Sequence, residues 1–137
     1  TRNAISHGML ALIEHPDQRQ KLLDDPTLID SAVEEILRWA TPVMYFRRTA
    51  LEDTEIRGQK IKAGERVVMW HISANRDESV FVDPDRFWIE RPNARRHVAF
   101  GYGIHRCVGA RLAELHGVSR QSASAWPRRG ARPSFGV

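Results

Sequence analysis

The stretch TLIDSAVEEILRWA, residues 27–40, constrains the fold most strongly, because it has a clear helical period and a proline shortly after it ends the helix. Its apolar residues recur at the spacing of one helix face, and a helix does not readily continue into Pro42. The apolar positions are Ile29, Val33, Ile36, Leu37 and Ala40. After Pro42 the pattern changes to short runs of β-branched and aromatic residues. The chain must therefore combine helices with a sheet.

Further helices are predicted before and after this stretch. Residues 1–15 place four apolar residues on one helix face. These are Ile5, Met9, Leu12 and Ile13. Pro16 either ends this helix or begins the next short helix, PDQRQKLLDD, which Pro26 ends. The residues that follow Cys107 are helical again, and Gly117 is the expected stop of that helix.

Strands are predicted between Pro42 and residue 70. The three runs are short, rich in β-branched and aromatic residues and bounded by glycines. They are VMYFRRTAL, TEIRG and QKIKAGERVVMW. We expect them to pair as a small antiparallel sheet. The predicted fold class is therefore mainly α with a small antiparallel β sheet, an α-rich α+β fold.

The net charge of +4 is confined to the end of the chain. Residues 118–137 contain four arginines and no acidic residue, so residues 1–117 carry no net charge. We expect residues 1–117 to form one folded unit and residues 118–137 to be a disordered basic tail. Because the excess charge belongs to this tail, we expect no nucleic-acid partner for the folded part.

Single features exclude several other classes of protein. One cysteine excludes an internal disulfide framework and a multi-cysteine zinc site. No apolar run approaches the roughly 20 residues that a membrane-spanning helix needs. No signal peptide is visible, and we expect a cytoplasmic protein.

The loop FGYGIHRCVG, residues 100–109, sets the single cysteine among three glycines and two basic residues. Cys107 stands where a helix is expected to begin, and unpaired N–H groups and the helix dipole stabilise a thiolate there. Arg106 adds positive charge, and the glycines let the backbone approach a large flat group. A thiolate in this setting can bind a soft metal. Two alternatives remain open, namely a small buried hydrophobe and a nucleophile with His105 as its base.

The longer stretch FGYGIHRCVGARLA resembles the haem-binding loop of the cytochrome P-450 monooxygenases, whose pattern is Phe-Gly-x-Gly-x-His/Arg-x-Cys-x-Gly. Every fixed position is present, at Phe100, Gly101, Gly103, His105, Cys107 and Gly109. The resemblance implies that the cofactor is haem b, iron protoporphyrin IX, and that Cys107 is its thiolate ligand. A thiolate ligand gives electron density to the iron and favours O–O cleavage. The implied reaction inserts one atom of dioxygen into an organic substrate.

The resemblance also assigns a structural network to three charged residues. Glu35 and Arg38 match the Glu-x-x-Arg pair of the family, and Arg86 in DPDRF resembles the third member of its buried network. This network would hold the cysteine loop in shape. Without the resemblance, a glutamate and an arginine three apart on a helix are an ordinary surface ion pair of little energetic value.

Further positions match residues that surround the haem in the family. Arg48 matches a position that reaches a haem propionate, and His105 matches a second propionate contact. By the same resemblance, Val43, Met44 and Phe46 pass over the distal face of the haem and shape the substrate pocket. The alternative for Arg48 is an exposed charge at a strand edge, and for each of the other three it is core packing.

The resemblance covers residues 1–115, which correspond to the C-terminal third of a family member. The acid and the threonine that manage protons during dioxygen activation would lie upstream of Thr1, so no catalytic residue is assigned. We therefore expect this chain alone to be inactive. The alternative function is a non-catalytic haem-binding remnant or a truncated, inactive gene product.

The resemblance also implies partners. The resemblance is to bacterial members of the family, which receive electrons from a ferredoxin-type protein and its NAD(P)H-dependent reductase. They act on small hydrophobic organic substrates. Arg106 and Arg111 flank the cysteine loop, and a cationic face would attract an acidic ferredoxin. The alternative is that these arginines only meet solvent.

Overall fold

The computed structural model describes residues 2–121, in which helices surround a central helix and two small sheets lie beside them. The helices are α1 (Arg2–Glu14), α2 (Pro16–Asp24), α3 (Ile29–Ala40), α4 (His71–Ala74) and α5 (Ala110–Gln121). The strands are β1 (Tyr45–Thr49), β2 (Thr54–Ile56), β3 (Gln59–Ile61) and β4 (Arg66–Trp70). This order confirms the predicted fold class.

Helix α3 is the central element, and its two ends are defined by local chemistry. The side chain of Asp25 accepts a hydrogen bond from the Thr27 backbone N–H in the short turn that leads into the helix. At the other end Thr41 adopts a left-handed conformation with φ 37°, and Pro42 follows it. Between these ends every residue from position 32 to position 38 is buried.

Two groups of buried apolar side chains include residues from different faces of α3. The first joins α1, α2, α3 and the irregular segment before the cysteine loop, through Ala11, Leu12, Leu22, Ala32, Ile36, Phe87 and Ile89. The second joins α1 and α3 to the start of the cysteine loop, through Ala4, Val33, Leu37 and Ala99, with Phe100 of the loop packed against them. The loop is therefore attached to the core through α3.

The strands pair in antiparallel fashion, but they form two two-stranded sheets instead of the single sheet that we expected. Strand β1 pairs with β4, so that Tyr45 faces Trp70. Strand β2 pairs with β3 across Arg57 and Gly58, which both have positive φ angles, of 49° and 81°. A two-residue hairpin turn with two positive φ angles matches the twist of its strands, so β2 and β3 form a local hairpin.

The buried face of α1 differs from the apolar stripe that the sequence predicts. Leu12 is buried as expected, but Ile13 is 56% exposed. The closest packing against α3 uses small residues instead, with Ala4, Gly8 and Ala11 buried. Small side chains let two helices approach closely. A prediction from the spacing of large apolar residues does not detect such a face.

Helix α5 does not end at Gly117, which corrects the expected stop. The helix continues to Gln121, and Gly117 is buried against α3. A Cβ atom at this position would lie 2.9 Å from Cγ1 of Val33. Gly117 therefore serves the close approach of α5 to α3. Residues 118–121 belong to α5, and the rest of the expected tail, residues 122–137, lies outside the described residues together with Thr1.

Across residues 2–121, none of the helices has the length and the apolar character needed to cross a bilayer.

Candidate functional site at the cysteine loop

The cysteine loop is held in a defined shape by its own backbone. Gly101 and Gly103 have φ angles of +74° and +70°, a conformation that other residues adopt at a cost. The N–H of Cys107 donates to the carbonyl of Phe100 at 2.8 Å, which closes the loop. Cys107 itself lies in the turn before α5, which begins at Ala110, and it is exposed. The helix therefore starts three residues later than the sequence suggested.

Cys107 lines an apolar cleft of about 810 Å³ between the cysteine loop, α1 and the segment that leads into β1. We call it the cysteine cleft. Its apolar lining includes Leu37, Pro42, Val43, Phe46, Ala99, Phe100 and Ala113. His105, near the cysteine, and Arg2 and His116 contribute polar groups to the lining. A thiol thus faces a space that is large, apolar and open to a ligand.

The three glycines of the loop have different roles. Gly109 lines the cysteine cleft, and a Cβ atom there would lie 3.9 Å from Sγ of Cys107. Gly101 and Gly103 do not line the cleft, and their positive φ angles explain their presence. Of the three, only Gly109 lines the cleft, and the expectation that the glycines let the backbone approach a flat group stays a prediction.

A smaller pocket of about 460 Å³ adjoins the cysteine cleft, because Phe46 and His105 line both. We call it the arginine pocket, since Arg48 lines it as well. The Arg48 guanidinium lies 5.6 Å from the ring centre of Phe46. The two residues that the resemblance assigned to carboxylate binding, Arg48 and His105, thus line one pocket beside the cleft.

The arginine pocket also contains His71, which the sequence did not single out. Its side chain is buried, and Nδ1 has no hydrogen-bond partner among the described residues. Burial and the nearby Arg48 charge lower the pKa of His71 below its ordinary 6.5, although a hydrogen bond with the Val43 backbone opposes them. The only sequence signal is a histidine that directly follows a strand.

The expected substrate-contacting residues separate into two groups. Val43 and Phe46 line the cysteine cleft. Met44 lines a different pocket, beside Leu10 of α1 and Trp39 of α3. Val43 lies in a bend before β1, and its side chain and that of the adjacent Met44 face different pockets.

The buried network around Glu35 uses Arg91, and Arg86 does not belong to it. Arg38 binds both carboxylate oxygens of Glu35, at 2.7 Å and 2.9 Å, and all atoms of both side chains are buried. Arg91 binds the same carboxylate at 3.1 Å. Arg86 contributes only its carbonyl oxygen, which accepts from Arg91 at 2.8 Å and from Arg38 at 3.4 Å, while its own side chain lies over Trp88. Arg86 ends a turn in which its N–H donates to the carbonyl of Asp83, and its side chain is exposed there.

Asn75 ties the same network to the cysteine loop, and the sequence analysis missed it. Its carbonyl accepts from Arg38 at 2.8 Å, and its side-chain amide donates to Thr41 at 3.0 Å. Its Oδ1 accepts the backbone N–H of Val98 at 2.7 Å. Asn75 is fully buried. Its position in the short stretch ISANRD gives no periodic signal for such a role.

A polar pocket of about 700 Å³ is lined by the cysteine loop, α3 and α5. Its lining contains Arg95, Arg96, Arg106 and Arg111 together with Glu34 and Glu114. Arg111 is 86% exposed and pairs with Glu114 at 2.9 Å, so part of the positive charge is neutralised locally. The two arginines that the sequence placed beside the loop therefore lie in one cationic surface.

Comparison with known proteins places these features in a family context. A sequence model described as Cytochrome P450 matches residues 11–117. Linalool 8-monooxygenase of Pseudomonas putida is 53% identical over 115 residues, which are 84% of this chain and 28% of that protein. A methyl-branched lipid omega-hydroxylase of Mycobacterium tuberculosis is also 53% identical over 115 residues, 82% of this chain and 27% of that protein.

A solved structure gives the same result. The structure of cytochrome P450-153 from Novosphingobium aromaticivorans superposes with a TM-score of 0.84 at 57% sequence identity. The match covers 85% of this chain and 30% of that structure. The chain therefore spans less than a third of the length of the relatives that it matches.

Proposed function

Because this chain belongs to the cytochrome P450 family, we propose that it forms the haem-thiolate part of a monooxygenase that inserts one atom of dioxygen into an organic substrate. In this proposal haem b is the cofactor and Cys107 is the ligand of its iron. The observation that carries the proposal is the position of Cys107 in a large apolar cleft, in a loop that is closed by the Cys107–Phe100 backbone hydrogen bond.

The residues around the cysteine cleft fit a large flat group with a metal centre and acidic edges. A thiolate is a soft donor that suits haem iron. Gly109 adds no side chain beside the sulfur, and a Cβ there would occupy the cleft next to it. The apolar rings of Phe46 and Phe100 suit the faces of a porphyrin, and Arg48 with His105 supplies cationic or donor groups for carboxylates.

Each of these residues would have a defined task. Cys107 would hold the iron, and the hydrogen bond from its backbone N–H to the Phe100 carbonyl would orient the sulfur. Arg48 and His105 would bind the propionates and orient the ring. Val43 and Phe46 would exclude water and contact the substrate. Bound haem would supply the iron at which dioxygen is reduced and activated.

The partners of the proposed enzyme are an acidic ferredoxin-type protein, its NAD(P)H-dependent reductase and a small hydrophobic substrate. The cationic surface that includes Arg95, Arg106 and Arg111 supports the first, because opposite charges steer association. The apolar lining of the cysteine cleft supports the third. The relatives' names concern a terpene alcohol and a branched lipid, which are both largely apolar.

We also propose that residues 1–137 alone bind haem without substrate turnover. The matched region is less than a third of each relative, so the remaining part of such a protein supplies most of its mass and the other walls of its site. A haem-binding polypeptide without monooxygenase activity is therefore the second candidate function.

The test is a reconstitution of the purified chain with haem, followed by dithionite and carbon monoxide. A red-shifted Soret band, typical of a thiolate-ligated carbon monoxide adduct, is the expected result. Cys107→Ser should lose that band and keep the far-UV circular dichroism spectrum of the chain. An identical spectrum in the variant would refute the proposal. Substrate turnover with a surrogate oxidant then separates the enzyme from the haem-binding polypeptide.

The electron-transfer partner is tested by a charge reversal. Arg106→Glu should slow reduction by a ferredoxin, most clearly at low ionic strength, because surface attraction is screened by salt. Arg66→Glu on strand β4 is the matched control and should leave the rate unchanged. Equal rates for the two variants would contradict the proposed docking face.

A further inference from the structure

His97 connects helix α3 to the backbone of the cysteine loop through both of its ring nitrogens. Nε2 lies 3.1 Å from a carboxylate oxygen of Glu34, and Nδ1 accepts the backbone N–H of Ala99 at 3.2 Å. The His97 side chain is 4% exposed and that of Glu34 is 11% exposed. Neither contact was expected from the sequence, which pointed to Glu35 instead.

These contacts define the protonation state of the imidazole. A backbone N–H can only donate, so Nδ1 of His97 must present its lone pair to Ala99. The remaining proton of a neutral ring is then on Nε2, where it is donated to Glu34. Burial raises the pKa of Glu34, but the hydrogen bond that it accepts from His97 and the charges of Arg95 and Arg106 together lower it below its ordinary 4.5. Glu34 is therefore a carboxylate acceptor at neutral pH.

The hydrogen bond of His97 to Ala99 is connected to Cys107 through the residue that follows Ala99. The next residue, Phe100, offers the carbonyl that accepts the Cys107 N–H at 2.8 Å. The rings of His97 and Phe100 also pack together, with their centres 5.6 Å apart. The N–H of Val98, the residue before Ala99, donates to the side-chain oxygen of Asn75. Two side chains thus hold two consecutive backbone amides immediately before the loop.

We propose that His97 is a positioning residue for Cys107. The Glu34 carboxylate fixes the neutral Nε2–H tautomer of His97, and the unprotonated Nδ1 of His97 accepts the Ala99 N–H. This contact keeps the Phe100 carbonyl in place to orient the sulfur of Cys107. This inference rests on the proposed function, because it assigns the positioning to a metal-binding sulfur. It adds to the Glu35 network a second link between α3 and the loop, through the neighbouring glutamate. His97 does not line the cysteine cleft, so any effect on the sulfur acts through the loop backbone.

The alternative is that His97 is only a space-filling residue of the core. Two substitutions separate these possibilities, since asparagine and glutamine reproduce different nitrogens of the ring. In His97→Asn the side-chain oxygen can replace Nδ1 and accept from Ala99, while the contact with Glu34 is lost. In His97→Gln the amide can replace Nε2 and donate to Glu34, while the acceptor for Ala99 is lost.

The first measurement needs no cofactor. In the chain itself, the ¹⁵N shifts of the His97 ring should show an unprotonated Nδ1, and a protonated Nδ1 would overturn the proposal without any variant. Hydrogen exchange of the Ala99 amide should be about fivefold to tenfold faster in His97→Gln, as expected for the loss of one net hydrogen bond. In His97→Asn it should stay within about twofold of the unmodified chain, because the acceptor is kept.

The second measurement uses the haem-loaded chain and the carbon monoxide adduct. His97→Gln should convert part of the thiolate-type band into a band of another ligation state, whereas His97→Asn should retain the thiolate-type band. Equal losses in both variants, or no loss in either, would refute positioning by Nδ1. If the unmodified chain lacks the thiolate-type band, the proposed function fails, and the ¹⁵N and exchange results still decide the His97 contacts.

Discussion

Arg91 donates from Nε to both carboxylate oxygens of Glu35, at 3.2 Å and 3.1 Å, although 56 residues separate the two in the sequence. Both side chains are buried. Because Arg38 binds the same carboxylate from within α3, one buried glutamate holds two guanidinium groups. The irregular segment that precedes the cysteine loop is thereby fastened to the central helix.

Arg91→Met should destabilise the chain by about 3–5 kcal/mol, because it leaves part of the charge of the buried Glu35 network without its partner. The substitution also leaves the carbonyls of Val82, Asp83 and Arg86 without their Arg91 donors. Urea denaturation followed by circular dichroism measures the free energy of unfolding.

Arg86→Met is the matched control for this experiment. The Arg86 side chain is exposed and lies over Trp88, a contact that the methylene groups of methionine can retain. Its effect on the free energy of unfolding should stay within about 0.5 kcal/mol. A larger loss for Arg86→Met than for Arg91→Met would show that the network was assigned to the wrong arginine.

The choice between Arg86 and Arg91 shows where prediction from the sequence ends. Both arginines lie in a segment without helical or strand period, so nothing in the sequence indicates which side chain turns inward. Glu35 and Arg38, by contrast, lie on a helix whose period is clear, and their pairing was predictable. The loop motif likewise placed Cys107 and Gly109 together, because a local sequence pattern describes a local structure.

The residues that the sequence analysis missed act across long stretches of chain. Asn75 contacts Val98, and Glu34 contacts His97, over 23 and 63 residues respectively. Such contacts depend on how helices and turns pack, which neither composition nor period encodes. The same limit explains Gly117, whose usual role as a helix stop was the natural prediction, while its contact with Val33 appears only in the fold.

Gly117→Ala should destabilise the chain. Alanine gains up to about 1 kcal/mol over glycine inside a helix, but overpacking a core costs about 1–3 kcal/mol. A Cβ atom 2.9 Å from Cγ1 of the buried Val33 makes the second effect the larger one. Thermal unfolding should show a lower midpoint for Gly117→Ala. In a Val33→Ala background, which removes the clash, Gly117→Ala should be neutral or stabilising; an unchanged penalty would contradict the packing argument.

Arg48→Gln should raise the pKa of His71 toward its ordinary 6.5. Burial and then the Arg48 charge lower that pKa in the folded chain, and the substitution removes the charge. The folded-state pKa lies below the unfolded one, so the neutral ring stabilises the fold above about pH 6.5, and this contribution is lost as the pH falls. A titration of the His71 ring by NMR measures the shift. Arg47→Gln, at the neighbouring position of β1, should leave it unchanged, and equal shifts would argue against a specific effect of Arg48.

Gly103→Ala and Gly109→Ala should separate backbone strain from occupation of the cysteine cleft. Gly103 has a φ angle of +70° and, its chain neighbours apart, no described atom lies within 4 Å of a Cβ there, so alanine should cost about 1–2 kcal/mol of stability through strain alone. Gly109→Ala has no such strain and should leave the free energy of unfolding within about 1 kcal/mol of the unmodified chain.

Haem affinity should respond in the opposite order, because the new methyl group at position 109 enters the cleft beside Cys107. A clash of about 1–3 kcal/mol corresponds to at least about fivefold weaker binding of haem by Gly109→Ala, measured by absorbance titration. Gly103→Ala should bind haem with little change at temperatures where it remains folded, since Gly103 does not line the cleft. Equal affinities in Gly109→Ala and the unmodified chain would show that the ligand does not lie against this face of the loop, and the assignment of the cleft would then be wrong.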